Sequence, residues 1–291
     1  MTISGFTFVK NAEKFDYPVV ESITSILPIV DEFIVNLGTS KDNTRGLIES
    51  IDSRKIKIIA TEWAPRFTAK TRIFAVQTNI ALYQCKGDWC FYIQADEVFH
   101  PDGLSTIKKI LEDINDDQRF EGLLLDYVHF FGGYKWAAKS HRWYRKEVRV
   151  IRNFLGISSF RDAQGFRLDG KKLRVFDTGL KMHHYGWVRP PAVMQAKKAY
   201  HDSLYHGSND RKDEEIFDYQ NYIDPRAVEE FQGTHPPSMR GRIDKWNLDF
   251  DPKKINYTAK LKDFKYRTID LVGRITGWFP GEYKNYRKVK R

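Results

Sequence analysis

Trp89-Cys90-Phe91-Tyr92-Ile93-Gln94-Ala95-Asp96-Glu97-Val98 decides the fold class. Trp89 to Gln94 is a short, largely apolar run, the length and composition of a strand covered on both faces. It stops at two adjacent carboxylates, Asp96 and Glu97. Carboxylates side by side at a strand end repel each other and lose solvation, and a hard divalent cation relieves both problems. A metal there would hold a diphosphate and neutralise the charge that develops when it leaves. The alternative is an N-terminal cap for the next helix.

Outward from this run, strand and helix alternate. Ile3 to Val9, Glu32 to Asn36 and Lys55 to Ala60 read as strands. Tyr17 to Leu27, Thr44 to Ile51, Thr68 to Tyr83 and Leu104 to Ile114 read as helices, the last with apolar residues at Leu104, Ile107, Ile110, Leu111 and Ile114. Such alternation predicts an α/β fold, a mostly parallel twisted sheet with helices on both faces. Ligands bind such sheets at the carboxyl ends of the strands. The residues to inspect are therefore Asn11, the stretch 36–44, and Asp96 with Glu97. After Glu121 the pattern changes. Gly122 to Phe131, Glu147 to Asn153 and a shorter Lys181 to Tyr185 read as strands, and beyond Pro190 come helices and loops rich in aromatic and charged residues.

Two further segments carry chemistry. Gly38-Thr39-Ser40-Lys41-Asp42-Asn43-Thr44 follows the second strand. Its hydroxyls and amides suit a nucleoside or phosphate at a helix N-terminus, or simply a turn capped by Asp42 or Thr44. His183-His184-Tyr185-Gly186-Trp187-Val188-Arg189-Pro190-Pro191 sets two histidines in tandem at a strand end. Strand neighbours face opposite ways, so only one of the pair faces a given site.

In combination and order these pieces resemble the family 2 glycosyltransferases, whose fold is the GT-A type. The resemblance runs over residues 1–190 and rests on four stretches. They are Lys10-Asn11-Ala12-Glu13 after the first strand, Asp31-Glu32-Phe33-Ile34-Val35 running into the 38–44 turn, Gln77-Thr78-Asn79-Ile80-Ala81-Leu82, and Gly87-Asp88-Trp89 leading to Gln94-Ala95-Asp96-Glu97. It implies transfer of a sugar from a UDP- or GDP-type donor held by Asn11, Asn36, Asp42, Arg72, Gln94, Ala95 and Asp96. It also implies a divalent metal, Mn2+ or Mg2+, on Asp96, with His184 and Glu97 as further ligands. Two departures matter. Gln94 stands where the family's DxD motif has its first aspartate, and Asn36 or Leu37 where its nucleoside-binding turn usually has Asp. An inverting transfer needs a carboxylate to take the acceptor's proton. The family draws it from a loop after the later strands, which makes Asp162 the candidate base and Asp126 the second. Asp162 pairing with Arg161 or Arg167 is the structural alternative.

Composition narrows the class. The 291 residues carry a net charge of +10 and 14% aromatic residues, which suits phosphorylated ligands, an anionic surface or nucleic acid. Basic and aromatic residues interleave from Lys135 to Arg152, and a rival reading makes the chain a nucleic-acid-binding protein. A third makes it a catalytically inactive sugar-nucleotide-binding relative. The enzyme reading, without nucleic acid, is the expectation. Cys85 and Cys90 lack CxxC spacing, and reduced thiols are expected. No leader and no run near the ~20 apolar residues of a membrane span is visible. A cytoplasmic protein is expected, with residues 1–190 as catalytic domain and 191–291 as a helical, basic extension. Tyr266 to Arg291 alternates apolar and basic residues, which suits peripheral contact with an anionic membrane and a glycan or lipid-linked acceptor.

Overall fold

The structure of the protein, a computed structural model, describes residues 1–63, 72–206 and 216–290, with the side chains at 72, 205 and 206 left aside. The elements follow the alternation. In order they are β1 Ile3–Val9, α1 Val19–Ile26, β2 Glu32–Gly38, α2 Thr44–Glu49, β3 Ile56–Thr61, α3 Arg72–Leu82, β4 Trp89–Tyr92, β5 Glu97–Phe99 and α4 Leu104–Ile114. Then come β6 Gly122–Phe131, β7 Trp136–Ala138, β8 Lys146–Arg152, the short strands β9 Ser158–Ser159, β10 Phe166–Leu168 and β11 Lys171–Lys172, and the long β12 Arg174–Trp187. The chain closes with α5 Pro191–His206, α6 Tyr219–Tyr222, β13 Val228–Glu230, α7 Arg240–Lys245, α8 Leu261–Thr276 and β14 Arg287–Lys288.

The main sheet runs β3-β2-β1-β4-β8-β6, with β12 beyond β6. Its first four strands are parallel to one another. β8 then lies antiparallel between β4 and β6, and β12 is parallel to β6. The sheet is therefore parallel over its first four strands and mixed beyond them. Side-chain alternation builds the two core layers. Trp89 and Phe91 of β4 face α1 and α4, where Ile23, Ile26, Ile107 and Leu111 are buried. Cys90 and Tyr92 face the opposite side, against Phe6, Ile34, Leu82 and Val148. Cys85 and Cys90 are buried free thiols.

The strand expected at Lys181 to Tyr185 is the end of a much longer one. β12 slips register between Asp177 and Lys181, where Gly179 sits at φ +67°. That bulge breaks the apolar alternation in the sequence while the backbone pairing continues.

Contacts cross the expected boundary at 190. β14 pairs with β12, β13 pairs with β7, and the Arg242 guanidinium grips Asp16, Glu21 and the Tyr17 carbonyl. α8 is fixed on one face by Asp270 to His141 and by Arg267 to Asp224. Its other face exposes Leu261, Phe264, Leu271 and Ile275, followed by Trp278. The helical members recur at steps of 3, 7 and 4 residues, one stripe of the helix, and Lys262, Lys265 and Arg274 beside it are exposed. Phe279 turns inward instead, its ring 3.7 Å from the Arg145 guanidinium.

Candidate functional site

A cavity of about 640 Å³ opens at the carboxyl ends of β1 and β4. Lys10 follows β1 on its wall, and Gln94, Ala95 and Asp96 follow β4. β8 contributes Glu147 and Arg149, the loop after β9 contributes Asp162, β12 contributes His184, and α5 contributes Lys197, Tyr200 and His201. Phe8, Trp63 and Phe74 form an aromatic corner, with Phe8 and Phe74 stacked 5.8 Å apart.

Asp96 is the buried centre. Its Oδ2 accepts a hydrogen bond from Lys197 Nζ at 3.2 Å, and Nζ also donates to the Gly186 carbonyl at 3.1 Å. Burial pushes the Asp96 carboxyl up. The positive fields of Lys197, His184 and Arg189 outweigh it and hold the group well below the usual carboxylate range. At neutral pH the weight falls on Lys197 and Arg189, because burial pushes His184 itself down to about 4. Burial together with the Arg189 charge lowers Lys197 to about 8, so it is mostly an ammonium at pH 7. Arg189 is fully buried, donating to the Phe15 and Tyr185 carbonyls.

The state of His184 follows from a chain of hydrogen bonds. His129 Nε2 lies 2.7 Å from the Tyr144 carbonyl, which only accepts, so Nε2 carries the proton. Burial pushes His129 down to about 3, so its ring is neutral and Nδ1 is an acceptor. His184 Nδ1, 2.9 Å away, must therefore be the donor. That leaves the lone pair of His184 on Nε2, 3.7 Å from Asp96 Oδ1. A lone pair facing a carboxylate is the posture of a group waiting for a cation. Gly186 makes the approach possible: a Cβ there would stand 2.4 Å from His184 Cε1 and 3.2 Å from Asp96 Oδ2. His183 faces the other way, stacked on Phe130 with ring centroids 6.0 Å apart.

Four expected site residues lie off the cavity lining, engaged elsewhere. Glu97 is one of them. It is fully buried on β5, its oxygens taken by Arg149 Nη2 at 2.8 Å, Arg149 Nε at 3.0 Å, the Gln94 amide at 3.0 Å and the Tyr127 hydroxyl at 2.7 Å. Asn36 does not reach the cavity either. It clamps the Gln77 carbonyl and side chain and accepts from Thr61. Asp42 takes the backbone amides of Lys14 and Thr44, the cap role. Asn11 holds a left-handed turn at φ +53° and binds the Lys41 amide. The cavity side chain at that turn is Lys10. The Arg72 side chain lies outside the described residues.

Asp162 does line the cavity, on a turn whose flanking residues Arg161 and Ala163 both have positive φ. Arg161 and Arg167 lie over the Phe160 ring. Asp126 is ion-paired with Lys146, which also binds Asp177. Glu147 was not expected. It belongs to the same wall, its Oε2 buried without a hydrogen-bond partner among the described residues. Burial, with the nearby charges of Glu97 and Asp162, pushes it up to about 8 against the pull of Arg149. The basic stretch from Lys135 to Arg152 is largely consumed internally. Lys135 pairs with Glu230, Lys139 with Glu229, Arg145 with Glu282 and Arg149 with Glu97, and Arg152 binds four backbone carbonyls.

No protein-family model and no curated protein matches the chain. Solved structures similar to it include S. aureus TarS 1-349 in complex with UDP, at 18% identity over 45% of this chain and 36% of that one, with a TM-score of 0.34. S. aureus TarS itself is similar at 12% identity over 69% and 39%, with a TM-score of 0.39. Glucosyl-3-phosphoglycerate synthase from Mycobacterium tuberculosis, in complex with Mn2+, uridine-diphosphate and phosphoglyceric acid, is similar at 20% identity over 44% and 43%, with a TM-score of 0.31. The chain spans less than half the length of each.

Two outcomes follow from the buried charges. Glu97→Gln strips Arg149 of its counter-charge and should cost about 3–5 kcal/mol in denaturant unfolding; a loss near zero would show the pair to be dispensable. Glu147 holds its proton in the folded state up to about pH 8 and releases it near 4.5 when unfolded. Between those values the folded state binds more protons, so stability falls as pH rises. The slope is at most about 1.4 kcal/mol per pH unit. Glu147→Gln should flatten that slope in urea melts compared at about pH 5 and about pH 8, and an unchanged slope would place the titration elsewhere.

Proposed function

We propose that the protein is a nucleotide-sugar-dependent glycosyltransferase of the GT-A type, taking a UDP- or GDP-type donor. The observation that carries this reading is Asp96 at the end of β4. It faces a cavity where Lys197 and the bare nitrogen of His184 converge, with the buried charge of Arg189 behind it. Such a cluster suits the diphosphate of a nucleotide donor, whose leaving charge must be neutralised. The aromatic corner of Phe8, Trp63 and Phe74 is suited to a flat base. Gln94 and Ala95 border the same space.

Asp96 and His184 Nε2 are the two protein groups that would hold a divalent cation, Mn2+ or Mg2+. Such a cation would supply Lewis-acid stabilisation of the departing diphosphate. Asp162 is assigned as the base. The acceptor oxygen attacks the anomeric carbon, the bond from that carbon to the diphosphate oxygen breaks, and the acceptor proton passes to the Asp162 carboxylate. One displacement inverts the configuration. Glu147, on the same wall, carries its own proton and adds no further negative charge near Asp162.

A glycan or lipid-linked acceptor is assigned, in cell-surface polysaccharide or glycan synthesis at the cytoplasmic face of a membrane. No described helix is long and apolar enough to cross one. The exposed stripe Leu261, Phe264, Leu271 and Ile275 between basic residues supports peripheral contact instead.

The test is nucleotide release with a panel of UDP- and GDP-sugars. Asp96→Ala should abolish it with the fold intact. Asp162→Asn should lower turnover ~10²–10⁴-fold while donor binding persists, and product NMR should show inversion. A retained configuration would sink the mechanism, and silence with every donor would sink the reading. For the tail, wild type should sediment with anionic vesicles and lose binding at high salt. Leu271→Ser should weaken that binding roughly tenfold; equal sedimentation of both would remove the membrane assignment.

A further inference from the structure

Glycosyl transfer from a nucleotide needs positive charge at the diphosphate, and this chain carries one there on its own helix. Lys197 reaches the cavity wall from α5 with a side chain 14% exposed. Two of its three N–H groups are engaged, by Asp96 Oδ2 at 3.2 Å and by the Gly186 carbonyl at 3.1 Å. Its ammonium also lies 5.1 Å from the Tyr17 ring, which closes the site from α1's side. The adjacent carboxylates are thus neutralised separately, Glu97 by Arg149 and Asp96 by Lys197. Gln94, on the same wall, brings no charge of its own. The carboxylate to be matched at the end of β4 is therefore single, and an ammonium matches it where two carboxylates would demand a dication. Arg189, fully buried behind Asp96, adds a second fixed positive charge, and its Nε has no hydrogen-bond partner among the described residues.

We propose that the Lys197 ammonium is the resident cation of the diphosphate site, so that the protein binds nucleoside diphosphate without a divalent metal. This rests on the nucleotide-sugar reading. The remaining N–H of Lys197 donates to a phosphate oxygen, while Asp96 fixes the ammonium in place. A metal at Asp96 and His184 competes with Lys197 for the same carboxylate and is an alternative occupant rather than a requirement.

Calorimetric titration of UDP and of GDP, each in EDTA and in Mn2+, tests it. Wild type should bind one of them in EDTA within about threefold of its affinity in Mn2+. Lys197→Met should lose roughly tenfold or more in EDTA and recover in Mn2+, because the vacated carboxylate is then open to the metal. A mere packing role would not respond to Mn2+. Wild-type binding that collapses in EDTA overturns the proposal. So does a Lys197→Met protein that binds like wild type in EDTA, or one that stays weak in both buffers. If Lys197→Met fails to fold, the wild-type comparison decides alone. Absence of UDP and GDP binding in every buffer is the distinct result that removes the nucleotide reading itself.

Discussion

Asp96 and Glu97 are neighbours in sequence, each at most 9% exposed, and like charges that close are tolerable only if each has its own counter-charge. The chain solves this by aiming them in opposite directions. Glu97 enters β5 and meets Arg149 of β8, which also lies over the rings of Tyr92 and Tyr127. Asp96 turns to the cavity and meets Lys197 of α5. The first pair ties the mixed half of the sheet to the end of the parallel half. The second ties the C-terminal third of the chain to the site. Much of the architecture beyond β4 can be understood as what delivers those two cations.

β8 is the element that makes this possible. Being antiparallel, it starts at the cavity and runs away from it, so its first residues stand beside the end of β4 and the middle of β6. Glu147 and Arg149, two positions apart, share one face of the strand. One is a buried acid that keeps its proton and the other a buried base that keeps its charge. A parallel strand in this place would present its last residues instead, and the cavity would lose both groups. Metal-like demands on a strand end are met here by sheet topology.

Much of the fold up to Ile114 was legible. Each element there is either covered on both faces or strongly amphipathic, so burial writes itself into the sequence as an apolar run or a helical stripe, and α4 matches residue for residue. β12 was legible only in part, because the register slip near Gly179 interrupts the alternation. At the site, the wall positions of Gln94, Ala95 and Asp96 were legible from their place after a strand, His184 from alternation near a strand end, and Asp162 only through the family resemblance. Asn11, Asn36 and Asp42 lie off the wall for one shared reason. A polar residue after a strand has first to satisfy the turn's own amides and carbonyls, and in this chain those three do. Lys197 and Glu147 left no local mark. A lysine on a helix reads as solvated surface, and it meets Asp96 only across a separation of 101 residues.

The two histidines show how far pattern can go and where it stops. Period-two alternation separates His183 from His184, and the structure sends one to the Phe130 stack and the other to the cavity. Alternation says nothing about which nitrogen of His184 is bare. That is set by His129 and, behind it, by the Tyr144 carbonyl, which lies in the irregular segment before β8. A carbonyl cannot donate, so it forces the proton onto His129 Nε2, His129 forces the next onto His184 Nδ1, and the lone pair emerges beside Asp96. The chemical state of the wall is thus fixed by a backbone oxygen two side chains away. Any change that reorients the Tyr144 peptide would invert His184 and turn an acceptor toward a donor without altering a residue that touches the cavity through its imidazole.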